Sequence, residues 1–219
     1  MTALQSTAEL APLILTVPGL NGSGPPHWQS LWEQEITDCA RVDLGTWERP
    51  HRNAWVNSLN HAIGNAGRPV ILVAHSLGCL AVAWWAAMER PAFGSSVVGA
   101  LLVAPPEVDV APVDERLSPF APAPIQPLPF PSIVAASRDD PYVQIHRARR
   151  LALFWGAQFA DAGSAGHINA ESELGRWEFG LFLLSRLTGR ERLTREGESP
   201  LPFLLDADNA LPEQRAARG

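Results

Sequence analysis

The sequence predicts an α/β domain in which a parallel sheet carries helices on both of its faces. Short apolar runs alternate with helical patterns from residue 13 to residue 187, and this alternation is typical of a parallel sheet. The 219-residue length suits one domain, or at most two small ones. Hydrophobic residues make up 46% of the chain and charged residues 18%, a composition that favours a packed core over a disordered chain.

Strands are predicted where short apolar runs end at turn-forming residues. The run Pro-Val-Ile-Leu-Val-Ala is apolar throughout, which is expected of a central strand that is covered on both faces. The five predicted strands span residues 13–17, 69–74, 97–103, 132–136 and 157–160.

Helices are predicted where apolar residues recur at the spacing of a helix face. The segment that follows the second predicted strand is almost wholly apolar, which indicates a helix buried on most sides. The five predicted helices span about residues 28–36, 53–63, 79–88, 142–154 and 172–187.

Two regions fall outside this alternation. Residues 104–131 hold nine of the 20 prolines, which predicts an irregular loop without regular helix or strand. We expect the catalytic domain to span residues 1–187. Residues 188–219 are expected to form a C-terminal tail, flexible or loosely docked through the apolar segment 201–205.

Charge and residue usage exclude several classes of chemistry. A net charge of −6 argues against a nucleic-acid binder, and no apolar run reaches the roughly 18 residues of a membrane span. The N-terminus lacks the pattern of a signal peptide, so a cytoplasmic protein is expected. Cys39 and Cys79 are 40 residues apart with no metal-ligand spacing, so neither a zinc site nor a disulfide is expected. All 17 basic residues are arginine, which excludes lysine catalysis.

A candidate nucleophile lies where the second predicted strand meets the next helix. The sequence Ala74-His75-Ser76-Leu77-Gly78 has the strand–Ser–helix context of a nucleophile elbow, whose usual pattern is Gly-x-Ser-x-Gly. Ala74 replaces the first glycine with another small residue. The alternative interpretation of Ser76 is a helix N-cap without chemistry. His75 is expected to point away from the site and pack.

Candidate partners for this serine follow later strands. His167 comes after the last predicted strand, and the chain order serine, aspartate, histidine is that of α/β-hydrolase triads. Asp140, which precedes a proline, is the preferred acid, and Asp139 is the alternative.

Two further carboxylates, Glu107 and Asp109, remain weaker alternatives for the acid because they follow the preceding strand. All of these side chains are expected at the carboxyl ends of the strands, which is the edge where open α/β sheets bind ligands.

Four ordered motifs resemble the small single-domain serine hydrolases of the retinoblastoma-binding-protein-9 and YdeN type, over about residues 12–187. The motifs are Pro18-Gly19 followed by His27-Trp28, the His75-Ser76 elbow, Asp139-Asp140-Pro141, and Gly166-His167. The resemblance implies an α/β-hydrolase fold without a large lid, hydrolase activity, and a triad of Ser76, Asp140 and His167. It does not extend to the tail.

The elbow also predicts where an oxyanion would bind. One donor is expected to be the backbone N–H of Leu77, the residue after the nucleophile. The resemblance favours Leu20 as the second donor, with Asn21 as the alternative. Asn21, His27 and Trp28 adjoin this loop and are candidates for lining the substrate pocket.

We therefore expect a serine hydrolase that needs no cofactor or metal and cleaves a small ester, thioester or amide through an acyl-enzyme. The expected partner is a small acyl substrate. The alternatives are a non-catalytic binding protein with the same fold, and a different triad activity such as a perhydrolase or an aminopeptidase.

Overall fold

Six strands form the sheet of this protein, whose computed structural model describes residues 11–188. In chain order the strands are β1 (Leu13–Val17), β2 (Cys39–Arg41), β3 (Val70–His75), β4 (Val97–Val103), β5 (Ser132–Ala136) and β6 (Gln158–Asp161). They lie in the order β2-β1-β3-β4-β5-β6, and every neighbouring pair is parallel. The five predicted strands are confirmed, and β2 is an additional edge strand.

Five α-helices connect the strands and cover the sheet. They are α1 (Trp28–Glu35), α2 (Arg52–Asn65), α3 (Leu77–Glu89), α4 (Ile145–Phe154) and α5 (Glu178–Thr188). Within residues 11–188, no helix combines the length and the apolar character needed to span a membrane.

The strand β3 shows why the central run is apolar at every position. Val70, Leu72 and Ala74 pack into the core on the side of α2, α3 and α4, whereas Ile71 and Val73 pack on the side of α1 and α5. Alternate side chains of a strand point to opposite faces. Two cores therefore hold one sheet between two helical layers, as predicted.

The C-terminal helix is shorter than the sequence predicts. Residues 172–187 are expected to be helical, but α5 begins only at Glu178, after a 3₁₀ turn at Ala170–Ser172. Gly175 and Trp177 have φ angles of 54° and 51°, which interrupt a right-handed helix before Glu178. The predicted tail lies outside the described residues, except for Thr188.

The proline-rich segment 104–131 contains one short 3₁₀ helix, Glu115–Phe120, with Pro119 inside it. It is otherwise irregular, as predicted. Arg116 on this helix donates hydrogen bonds to the Asn21 side chain at 3.1 Å and to the Glu48 carbonyl at 3.4 Å. These bonds attach the segment to the loops that follow β1 and β2.

Candidate active site

Ser76 lies at the sharp turn between β3 and α3. Its φ of 52° and ψ of −125° fall in a region that non-glycine residues rarely adopt, and such a conformation costs on the order of 1–3 kcal/mol. The Ser76 N–H donates to the Val103 carbonyl at 2.8 Å, which holds the turn against β4. The turn presents the hydroxyl at the carboxyl end of the sheet.

Glycines allow the neighbouring backbones to approach this turn. A Cβ atom on Gly78 would lie 2.2 Å from the carbonyl oxygen of Val17, so α3 can contact the end of β1 only without a side chain there. A Cβ atom on Gly19 would lie 2.7 Å from the Ser76 Cβ. Ala74, in contrast, is fully buried and its methyl group is accommodated in the core.

Three side chains from separate loops form a continuous hydrogen-bond chain. His167 Nε2 lies 2.8 Å from Ser76 Oγ, and His167 Nδ1 lies 2.9 Å from both carboxylate oxygens of Asp140. The Asp140 side chain is fully buried and that of His167 is 8% exposed. When Nδ1 carries the proton, Nε2 is free to accept from the serine hydroxyl.

The other carboxylates have different partners. Asp139 accepts hydrogen bonds from the Ser137 hydroxyl at 2.6 Å and the Gly166 N–H at 2.9 Å. These bonds, the first above all, lower the pKa of Asp139. Asp139 thereby ties the loop after β5 to the loop that carries His167.

Glu107 and Asp109, the weaker alternatives for the acid, also have partners elsewhere. Glu107 pairs with Arg147 at 2.7 Å, and Asp109 accepts from the Ala123 N–H at 2.8 Å. Asp140 is thus the carboxylate that the structure brings to His167.

Two buried histidines lie beneath His167. His75 donates from Nε2 to the His167 carbonyl at 2.9 Å, and its ring packs against those of His27 and His167. Burial is the largest cause that lowers the pKa of both His75 and His27, in His27 to about 3. Both rings are neutral near pH 7, so they add no positive charge beside His167.

Tyr142 is a site residue that the sequence analysis missed. Its ring packs on the His167 ring at 4.3 Å between centroids, and its N–H donates to Asp140 at 2.8 Å. An aspartate that accepts from the N–H two residues later is a recurrent turn. That turn could have pointed to Tyr142 from its position after the Asp-Pro pair.

The loop after β1 distinguishes the two candidates for the second oxyanion donor. The Asn21 N–H donates to the Trp47 carbonyl at 3.0 Å, so the alternative donor is already engaged. Leu20 follows Gly19, and the backbone at Gly19 lies close to Leu77: a Cβ atom on Gly19 would lie 3.1 Å from the Leu77 nitrogen. The backbone of the β1 loop therefore lies against the first turn of α3, whose N–H groups lack partners within the helix.

Two of the candidate pocket residues are instead buried. Trp28 is 1% exposed, and its Nε1 donates to the Ile168 carbonyl at 2.8 Å. Trp28 is therefore a core residue that braces the His167 loop, which corrects the pocket-lining interpretation. His27 is 3% exposed and caps α1 by accepting from the Gln29 N–H, while its buried Nε2 has no protein partner.

Comparison with known proteins agrees with this geometry. A family model described as serine hydrolase matches residues 14–186. A YdeN-like hydrolase from Pectobacterium atrosepticum is 32% identical, with a TM-score of 0.72 over 84% of this chain and 94% of that one. No curated protein matches the sequence significantly.

More distant structures share the fold. The ydeN gene product from B. subtilis is 18% identical, with a TM-score of 0.67 over 82% of this chain and 100% of that one. A monoacylglycerol lipase from Paleococcus ferrophilus is 13% identical, with a TM-score of 0.64 over 82% and 96% of the two chains. With its α/β-hydrolase fold, the chain belongs to the serine hydrolase family and is a hydrolase of the YdeN type.

Proposed function

We propose that this protein hydrolyses a small ester, thioester or amide through an acyl-enzyme on Ser76, without a cofactor. The observation that carries the proposal is the buried hydrogen-bond chain from Asp140 through His167 to Ser76. A serine hydroxyl is a weak nucleophile unless an adjacent base accepts its proton, and a third group commonly orients that base.

In the proposed acylation step, Ser76 Oγ attacks the substrate carbonyl carbon while His167 Nε2 accepts the hydroxyl proton. The Asp140 carboxylate stabilises the imidazolium that forms. The backbone N–H groups of Leu77 and Leu20 donate to the oxyanion, and one such donor contributes about 3–4 kcal/mol to transition-state stabilisation.

In the second step, water attacks the acyl-enzyme, with His167 as the base, and releases the acid. His75 and His27 support both steps by remaining neutral, because a cation beside His167 would disfavour its imidazolium form. His75 also fixes the His167 backbone through its hydrogen bond to the carbonyl.

Cys79 is the other nucleophilic side chain near the elbow, and its environment disfavours chemistry. It is fully buried in α3, its Sγ contacts the carbonyl oxygens of Ala74 and Val103, and burial raises its pKa. A buried thiol held protonated is inert. The proposed nucleophile is therefore Ser76 alone.

An ester is the substrate class that we favour. A complete triad has no purpose in a purely binding protein, and one structural relative is described as a monoacylglycerol lipase.

Labelling with a fluorophosphonate probe tests the proposal. We expect one adduct, on Ser76 by peptide mapping, and hydrolysis of p-nitrophenyl acetate that the probe abolishes. Ser76→Ala should lose both, while Ser118→Ala, at an exposed serine of the 3₁₀ helix, should retain both. An adduct on another residue, or no adduct on folded protein, would refute it.

A further inference from the structure

A cavity of about 320 Å³ opens beside the proposed triad, between the loops that follow β4 and β5. Asp140 and Tyr142 belong both to this cavity and to the site, because Asp140 binds His167 and the Tyr142 ring packs on it. The cavity therefore lies next to two residues that contact the proposed base. Its volume is at the lower end for small-molecule pockets.

The wall of the cavity is mostly apolar. Val143 is buried in it, whereas Val110 and Val113 at its edge are 57% and 67% exposed. Three charged residues line the cavity: Glu107 and Arg147 pair with each other at 2.7 Å, and Asp140 binds His167 at 2.9 Å. Because each of these side chains already has a partner in the protein, the cavity suits an uncharged, apolar group.

The sheet order determines which half of a substrate can reach this cavity. The strand β3, which ends at Ser76, lies between β1 on one side and β4 and β5 on the other. The proposed oxyanion donor Leu20 follows β1, whereas the cavity follows β4 and β5. The carbonyl oxygen and the cavity therefore lie on opposite sides of the nucleophile.

Proton transfer determines the placement of the leaving group. During acylation a bond forms between Ser76 Oγ and the carbonyl carbon, and the bond from that carbon to the alcohol oxygen breaks. The alcohol oxygen takes the proton that His167 received from Ser76, so it must lie near His167 Nε2. Tyr142 packs on a face of the His167 ring and also lines the cavity, so a group attached to the alcohol oxygen would pass Tyr142 to reach the cavity.

We propose that this cavity binds the apolar alcohol portion of an ester substrate, such as a short alkyl or single aryl group. The proposal rests on the proposed function of Ser76 and names a substrate preference for that site. Each methylene group buried there should raise kcat/KM about four-fold until the cavity is filled.

Two series of esters test the proposal. In one, acetate esters carry alcohols from methanol to hexanol; in the other, methyl esters carry acyl groups from acetyl to hexanoyl. In the wild-type protein we expect kcat/KM to rise with alcohol length. Val113→Asp should flatten the alcohol series and keep the slope of the acyl series. Ile125→Asp is the matched control, since Ile125 is 61% exposed in the same proline-rich segment but outside the cavity wall.

The outcomes separate this proposal from the proposed function. If Val113→Asp changes only the acyl series, or changes neither series, the proposal is overturned. Labelling of Ser76 would still support the proposed function in that case. The proposal would also be overturned if the protein is labelled at Ser76 but hydrolyses no ester of either series. Absence of Ser76 labelling would contradict the function itself.

Discussion

Gly78→Ala tests whether close backbone approach at the elbow holds the site together. The added Cβ would lie 2.2 Å from the Val17 oxygen and 2.7 Å from the Pro18 oxygen. Carbon–oxygen contacts of this kind normally lie at about 3.3–3.6 Å. The first turn of α3 and the end of β1 would therefore have to separate by about 1 Å. Both obstructing atoms belong to the backbone, so a rotamer change cannot relieve the clash.

The expected cost is at the upper end for over-packing, about 3 kcal/mol. For a domain of this size, that corresponds to a melting temperature roughly 6–12 °C lower. Since the same movement displaces Ser76 from the loop that carries Leu20, the labelling rate with a fluorophosphonate should fall even at temperatures where the variant is folded.

Gly64→Ala provides the control. Gly64 lies in the helix α2, and a Cβ there would meet no atom within 4 Å. Alanine should stabilise that helix by about 0.5–1 kcal/mol and leave labelling unchanged. Thermal unfolding and labelling kinetics measure both variants. A Gly78→Ala protein as stable and as reactive as the wild type would refute the reasoning.

Three further predictions follow from the structure. Asp140→Asn should lower esterase kcat by about 10⁴, because it removes the charge that orients and stabilises His167. Asp139→Asn should retain most of the activity, because the asparagine oxygen can still accept hydrogen bonds from Ser137 and the Gly166 N–H. The free energy of unfolding should fall in acid. In the folded protein the pKa of His27 is lowered to about 3 and that of His75 is also lowered. Below about pH 6.5 the unfolded chain therefore binds more protons than the folded protein, and acid favours unfolding. His27→Asn, which keeps the helix cap, should reduce this slope by up to about 1.4 kcal/mol per pH unit in urea unfolding series. A chain truncated after residue 190 should stay active and melt within about 2 °C of the full-length protein.

Each of these predictions has a contrary outcome. A larger loss in Asp139→Asn than in Asp140→Asn would reassign the acid. An unfolding free energy that is flat between pH 6.5 and 4 would show that His27 and His75 accept protons in the folded state. A much lower melting temperature after truncation would show that residues 201–205 pack on the domain.

Most of the sheet was predictable because its central strands β3 and β4 are buried on both faces and are therefore almost wholly apolar. The strand β2 was not, since it has only three residues, and Ala40 and Arg41 are exposed at the sheet edge. The late start of α5 depends on positive φ angles, one of them at Trp177, a residue type that gives no warning of such a conformation.

The approach of Ser76, Asp140 and His167 could be anticipated because parallel strands end at one edge of the sheet. The supporting contacts could not. The bond from His75 to the His167 carbonyl and the stacking of Tyr142 depend on loop conformations that strand alternation does not specify. Trp28 was misassigned because its position beside the β1 loop says nothing about the direction of its indole.

The hydrogen bond of Trp28 to the Ile168 carbonyl joins residues 140 positions apart, and that of His167 to Ser76 joins residues 91 apart. During synthesis, a nascent chain therefore exposes Trp28 and Ser76 long before Asp140 and His167 have left the ribosome. An isolated serine hydroxyl is a poor nucleophile, so a fragment that ends before His167 has no means to attack esters. Hydrolytic activity would then report that translation has passed His167 and that the two ends of the domain have met.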